Sequence, residues 1–173
     1  MADQCVRLLA STSVARHRGP MPQQPSLVTG ALVGYVSSRV MDAATSRYFE
    51  TQSQESKDRE SEISPDGTLA DVGHTVGSIV GKDLPPEEAG KVGLAAHRTL
   101  GTTYGVIAAA LVRRGIAPMV AAPLVGAAAW VIIDEGMALP TFRRYLKESH
   151  VRGIIGHGTW GITAGVLLTL ATR

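Results

Sequence analysis

Residues Ala117 to Leu139 read APMVAAPLVGAAAWVIIDEGMAL, an apolar run that meets no charge until Asp134 and Glu135 near its end. A helix rises about 1.5 Å per residue, so some 20 apolar residues cover the roughly 30 Å hydrocarbon layer of a bilayer. The run is long enough to cross a membrane, and longer than most core helices of soluble proteins. Its two adjacent carboxylates must then sit at headgroup level or inside protein, because an unpaired charge in lipid is costly.

Working outward, three more segments share this character. They are Ser26 to Phe49, SLVTGALVGYVSSRVMDAATSRYF; Gly90 to Val112, GKVGLAAHRTLGTTYGVIAAALV; and Gly153 to Thr172, GIIGHGTWGITAGVLLTLAT. With spans at 26–49, 90–112, 117–139 and 153–172, the chain is expected to be all-α, a four-helix transmembrane bundle. The hydrophilic section 50–89 opens with TQSQESKDRESEISPDG, which is too charged to enter a bilayer. Within it Leu69, Val72, Val76, Ile79 and Val80 recur at helical spacing and predict a short amphipathic helix lying on the membrane or on the bundle. Asp71 and His74 share a face there as a solvated pair. Pro85-Pro86 with Glu87 and Glu88 reads as the start of the next helix. Residues 1–25, rich in Ser, Arg and Pro, read as a disordered or extended tail, and Tyr48 and Phe49 mark a headgroup level.

All four spans carry small residues every fourth position, which places them on one helix face. The first has Gly30, Gly34 and Ser38; the second Gly101 and Gly105; the third Ala122 and Gly126; the fourth Gly161 and Gly165. Such stripes let backbones approach closely in lipid, where no hydrophobic drive brings helices together. Each stripe runs on into an ionisable residue: Asp42, His97, Asp134 and His157. Four antiparallel spans put these residues at the same end, roughly 20 to 25 Å from the side that holds the N-terminus. They form one layer, with Glu135, Arg39 and Arg98 nearby, and Arg39 and Asp42 at i, i+3 can pair within their helix.

Three roles fit that layer. Histidine with carboxylate is a ligand set for zinc, iron or manganese, so a metal ion is one candidate cofactor. It is also a proton relay, because histidine titrates near neutral pH. The plainest role is structural, as interhelical hydrogen bonds that fix packing. No Walker loop, nucleophile elbow, HExxH or CxxC is present, which leaves recognised enzyme classes without support and no catalytic residue to assign. A net charge of +2 and 5% aromatic residues argue against a nucleic-acid partner, and the single cysteine, Cys5, excludes an internal disulfide. The basic residues near the spans do not fix the orientation.

Several short motifs are similar to the YagU-like bacterial inner-membrane proteins, a small four-span family. They are Val40-Met41-Asp42; His97 with Leu100-Gly101 and Tyr104-Gly105; Asp134-Glu135; and His150, Arg152-Gly153 and Gly156-His157. The resemblance covers the spans but not the tail. It implies four helices and a multi-pass place in the bacterial inner membrane, and it carries no activity over. The sequence thus points to a membrane protein that acts by binding, as an accessory or scaffolding subunit of a larger complex or by self-association through exposed small-residue stripes. The alternative is a bundle that translocates protons or metal ions through the Asp and His layer.

Overall fold

The computed structural model describes residues 23–136 and 147–173. Most of the predicted tail, the end of the third span at 137–139 and part of the basic connection that follows lie outside the described residues. All regular elements among the described residues are helical: α1 Leu27–Glu50, α2 Gln54–Ile63, α3 Thr68–Ile79, α4 Pro86–Arg113, α5 Pro118–Ala129 and α6 Lys147–Ala171. A π-helical segment, Trp130–Glu135, continues α5.

Local chemistry sets the helix starts. Ser26 caps α1 by accepting the Thr29 N–H at 2.9 Å, and Ser53 caps α2 through the Ser56 N–H at 3.2 Å. Each side chain satisfies an amide that has no carbonyl within its helix. α4 opens at Pro86, where the missing N–H costs nothing, with Glu87 and Glu88 facing the positive end of its dipole. Gly115, at φ +92°, makes the sharp turn into α5 that a side chain would resist.

Two helices are long and apolar enough to cross a membrane by length and composition, Pro118–Glu135 and Lys147–Ala171. α1 and α4 have the length, at 24 and 28 residues. They carry Arg39 and Asp42, and His97 and Arg98, within their apolar stretches, and so fall short on composition.

Packing follows the glycines. α1 and α4 run antiparallel with their backbones in contact: a Cβ on Gly30 would stand 2.6 Å from the Ala109 Cβ, and one on Gly105 would stand 2.6 Å from the Gly34 Cα. Gly34 and Gly101 are equally closed, against each other's helix backbone and Ser38. α5 and α6 pair the same way. A Cβ on Gly126 would meet the His157 carbonyl oxygen at 2.7 Å, one on Gly161 the Pro123 Cα at 2.8 Å, and one on Gly165 the Met119 sulfur at 2.9 Å. α1 also packs on α6 and α4 on α5, which closes a ring of four helices. Inside it lie Val33, Ala108, Ala109, Ala122, Val125, Trp160, Ala164 and Leu168.

One expectation changes here, and one alternative is decided. The small-residue stripes are not exposed: all seven predicted packing glycines meet a neighbouring helix of the same chain. A ring of four helices turns every stripe inward, so close approach satisfies them within one molecule. α3, the expected amphipathic helix, lies on the first half of α4. Ala89 occupies the space a side chain on Gly73 would need, and Leu69 that of Gly93.

Gly105→Ala should therefore force α1 and α4 apart and cost about 1–3 kcal/mol of stability. Gly158→Ala, on α6 with nothing within 4 Å of the new methyl, should hold or raise stability, because alanine is the better helix former. Thermal unfolding in mild detergent separates the two; equal midpoints would contradict the packing argument.

Candidate functional site

On α1 the period of Gly30, Gly34 and Ser38 continues one turn to Asp42, and on the antiparallel α4 the period of Gly105 and Gly101 continues to His97. Because the backbones touch one turn away, the carboxylate and the imidazole arrive face to face. Asp42 Oδ1 lies 3.1 Å from His97 Nε2, and Arg98 donates to Asp42 Oδ2. The Arg98 guanidinium also lies 6.0 Å from the Tyr35 ring centre. Arg39, expected to pair with Asp42, remains exposed on another face of α1. A half-buried carboxylate gains more from donors held in place by packing than from a side chain free in the surroundings.

The second pair forms between the π-helical segment and α6. Asp134 Oδ2 lies 3.3 Å from His157 Nε2, and Glu135 Oε1 lies 2.8 Å from His150 Nδ1. His150 and His157 are two turns apart on one face of α6. From adjacent positions in the π-helical segment, Asp134 and Glu135 both reach that face. Gly153 clears the way: a Cβ there would stand 2.8 Å from Asp134 Oδ2 and 3.1 Å from the Trp130 ring. Glu135 thus belongs to a separate pair one step nearer the end of the bundle. His150, named from the sequence only among the motifs of the family resemblance, is its partner.

These pairs line two neighbouring spaces. An inner cavity of about 110 Å³ is lined by Ser38, His97, Tyr104, Asp134, His157 and Trp160, among others. An outer chamber of about 1080 Å³ shares Met41, His97, Ile133 and Asp134 with it, takes in Asp42, Glu135 and His150, and is walled on one side by α3. Toward the other end of the bundle the interior is shut. Trp160 is 1% exposed, donates its indole N–H to the Gly34 carbonyl at 3.2 Å and meets the Tyr104 ring edge-on with centroids 6.1 Å apart. Ala108, Ala109, Ala122, Ala164 and Leu168 fill the space around and beyond it.

The outer chamber owes its shape to contacts that the sequence reading missed. Arg152 of α6 holds Glu60 of α2 through two hydrogen bonds, one of them 3.1 Å, with side chains only 20% and 16% exposed. Phe49 lies between two cations, 5.4 Å from Arg152 and 5.5 Å from Lys57. Glu60 sits in a charged stretch with no apolar period, so no signal in the sequence singles it out. Asp71 accepts from Ser64, while His74 lies 3.8 Å from Asp66; the expected His74 and Asp71 pair does not form. Among the described residues no group of three or more His, Cys, Asp or Glu side chains is arranged to hold a metal ion. The layer is built of pairs. No protein-family model, curated protein or solved structure matches the chain.

Asp42 serves both His97 and Arg98, so its loss strands a guanidinium that is only 15% exposed. Asp42→Ala should cost about 3 kcal/mol or more. His97→Ala, which leaves the Arg98 pair in place, should cost about 1 kcal/mol. Unfolding midpoints in detergent give the order, and the reverse order would refute the shared role of Asp42.

Proposed function

We propose that the chain is a four-span integral membrane protein that acts by binding, as an accessory or scaffolding subunit of a larger membrane complex. Two helices long and apolar enough to cross a membrane support the membrane setting. So do apolar side chains turned outward on all four long helices, among them Leu32, Val36, Ile107, Leu124, Ile162 and Val166. The polar residues that lower the apolarity of α1 and α4 support the two further spans, since Asp42, His97 and Arg98 are paired with one another across the helices. The resemblance to YagU-like proteins favours the bacterial inner membrane.

One observation carries the binding role. α3 runs back along the first half of α4, with Leu69 at Gly93 and Gly73 at Ala89, so the turn between them is the part of this hairpin farthest from the spans. Ile79 and Val80 stand there 79% and 64% exposed. Lipid accounts for the outward apolar faces of the spans but not for this tip, whereas a protein partner on that side would cover it. The glycine stripes are spent within the bundle, so association through them is not part of this reading.

A second reading, proton or ion translocation, is favoured by one specific feature, the inner cavity that joins His97, Asp134 and His157. Against it stands the closed interior around Trp160, which transport would have to open.

The test is native mass spectrometry of the protein extracted from its own membranes in mild detergent. A stoichiometric larger assembly is expected. Changing Ile79→Asp together with Val80→Asp should release the partner while leaving the melting temperature of the bundle unaltered, and His97→Ala and His157→Ala should keep it. A wild-type protein that emerges alone, or a partner retained by the tip variant, would refute the docking role. Loss of proton flux in proteoliposomes on His157→Ala would establish the second reading instead.

A further inference from the structure

We propose that the outer chamber is a binding site for an organic cation, a protonated or quaternary amine carried on an apolar body. The exposed tip at Ile79 and Val80 is no part of the chamber wall, so this site and the docking reading can each fail without the other.

Size and lining are the first support. At about 1080 Å³ the chamber is as large as the clefts that hold small organic molecules, roughly 300 to 1,000 Å³. Between its polar groups the wall is apolar, with Met41, Leu69, Leu94 and Ile133 beside the rings of Phe49 and Trp130. Glu50, Asp66 and Thr68 of the lining are exposed, which leaves the chamber open to entry.

Charge decides the kind of molecule. Asp42 and Glu50 come from α1, Glu60 from α2, Asp71 from α3 and Asp66 from the turn before it. Asp134 and Glu135 of the π-helical segment bring the lining carboxylates to seven. Arg152 is the one lysine or arginine among the described lining residues, and it is committed to Glu60, as Arg98 is to Asp42. The remaining carboxylates have no guanidinium or ammonium partner among the described residues. Asp134, Glu135 and Asp66 meet histidines, and Asp71 accepts from the Ser64 hydroxyl. Lys57 reaches only the backbone carbonyl of Glu50, at 3.0 Å, and lies over the Phe49 ring. A cleft walled by charge of one sign draws in the other.

The layout favours a bulky cation over a bare metal ion. Hard metal ions need several oxygens converging on one point, whereas these carboxylates come from separate elements. Among the described residues no group of three or more gathers to hold a metal. Negative charge dispersed between apolar surfaces suits a positive group attached to an apolar body. Trp130 adds an independent sign. Its ring lines the chamber, where an aromatic face attracts an ammonium. Its indole nitrogen is buried with no hydrogen-bond partner among the described residues, a cost that an acceptor on the bound molecule would remove after a small turn of the ring.

The experiment is equilibrium binding of tetraphenylphosphonium to the full-length protein in uncharged detergent micelles, with tetraphenylborate as the anion of the same shape. Tetraphenylphosphonium should bind saturably at one site per chain, and tetraphenylborate should neither bind saturably nor displace it. Asp134→Asn together with Glu135→Gln should weaken binding about tenfold. Glu55→Gln together with Glu87→Gln, which removes the same charge outside the chamber, should leave it unchanged. The chain has two tryptophans, so nitrogen-15 NMR of the indole groups locates the ligand: the Trp130 signal should move on binding and the Trp160 signal, from a side chain 1% exposed, should stay. The proposal is overturned by non-saturable binding, by tetraphenylborate binding as well as the cation, by equal affinity in the two double variants, or by movement of the Trp160 signal alone. Should the chamber variant fail to fold, the comparison of cation with anion and the indole signals of the wild type decide the matter.

Discussion

Backbone contact between α1 and α4 at Gly34, Gly101 and Gly105 is the constraint on which the other features depend. A seam of glycines and small side chains offers little apolar side chain to bury, so association depends on how closely the backbones approach. Keeping the seam to glycines and small side chains brings the axes together, and closeness has consequences one turn farther along. It sets Asp42 against His97, holds Arg98 within reach of the same carboxylate, and presents the Gly34 carbonyl to the indole of Trp160. A bulkier seam would undo the packing and the polar pairs together, because both use the same separation.

The α5 and α6 pair solves the same problem with different means. Pro123 sits inside α5 and is met by Gly161, whose missing side chain leaves room for the proline backbone. The π-helical segment then redirects two neighbouring carboxylates onto one face, where α6 supplies two histidines at a two-turn spacing. Such an irregular turn forfeits some ideal hydrogen bonding, and it occurs here at the place where polar side chains must converge.

The two ends of the bundle consequently differ in kind. One is an apolar interior of alanines, Val33, Val125, Leu168 and Trp160. The other opens into a chamber where Asp42 meets His97, Glu135 meets His150 and Glu60 meets Arg152 from different elements, so that the polar end is held together by complementary partners as well as by packing. α2 and α3 complete the chamber: α2 by its tie from Glu60 to Arg152, and α3 by glycine contacts with α4 of the same type as those within the ring.

How far the sequence goes can be read from individual residues. Helical character, the glycine periods and the identity of Asp42, His97, Asp134 and His157 as the residues that end those periods all follow from spacing, because a helix converts spacing into a face without further information. The spacing also shows Asp134 and Glu135 as neighbours, but not that one meets His157 and the other His150, which depends on a local change of helical winding. Arg39 is the nearest basic residue to Asp42 by sequence, yet Arg98 is its partner, since the choice between them depends on which faces the packed helices turn toward each other. Likewise Glu60 is an undistinguished member of a charged run until α2 folds against α6. Properties repeated along one helix were therefore determined by the sequence alone. Pairings between elements, the inward turning of every glycine stripe and the division into a closed and an open end were decided only by the tertiary structure, because they depend on relative rotation and distance between helices, and no single helix encodes either.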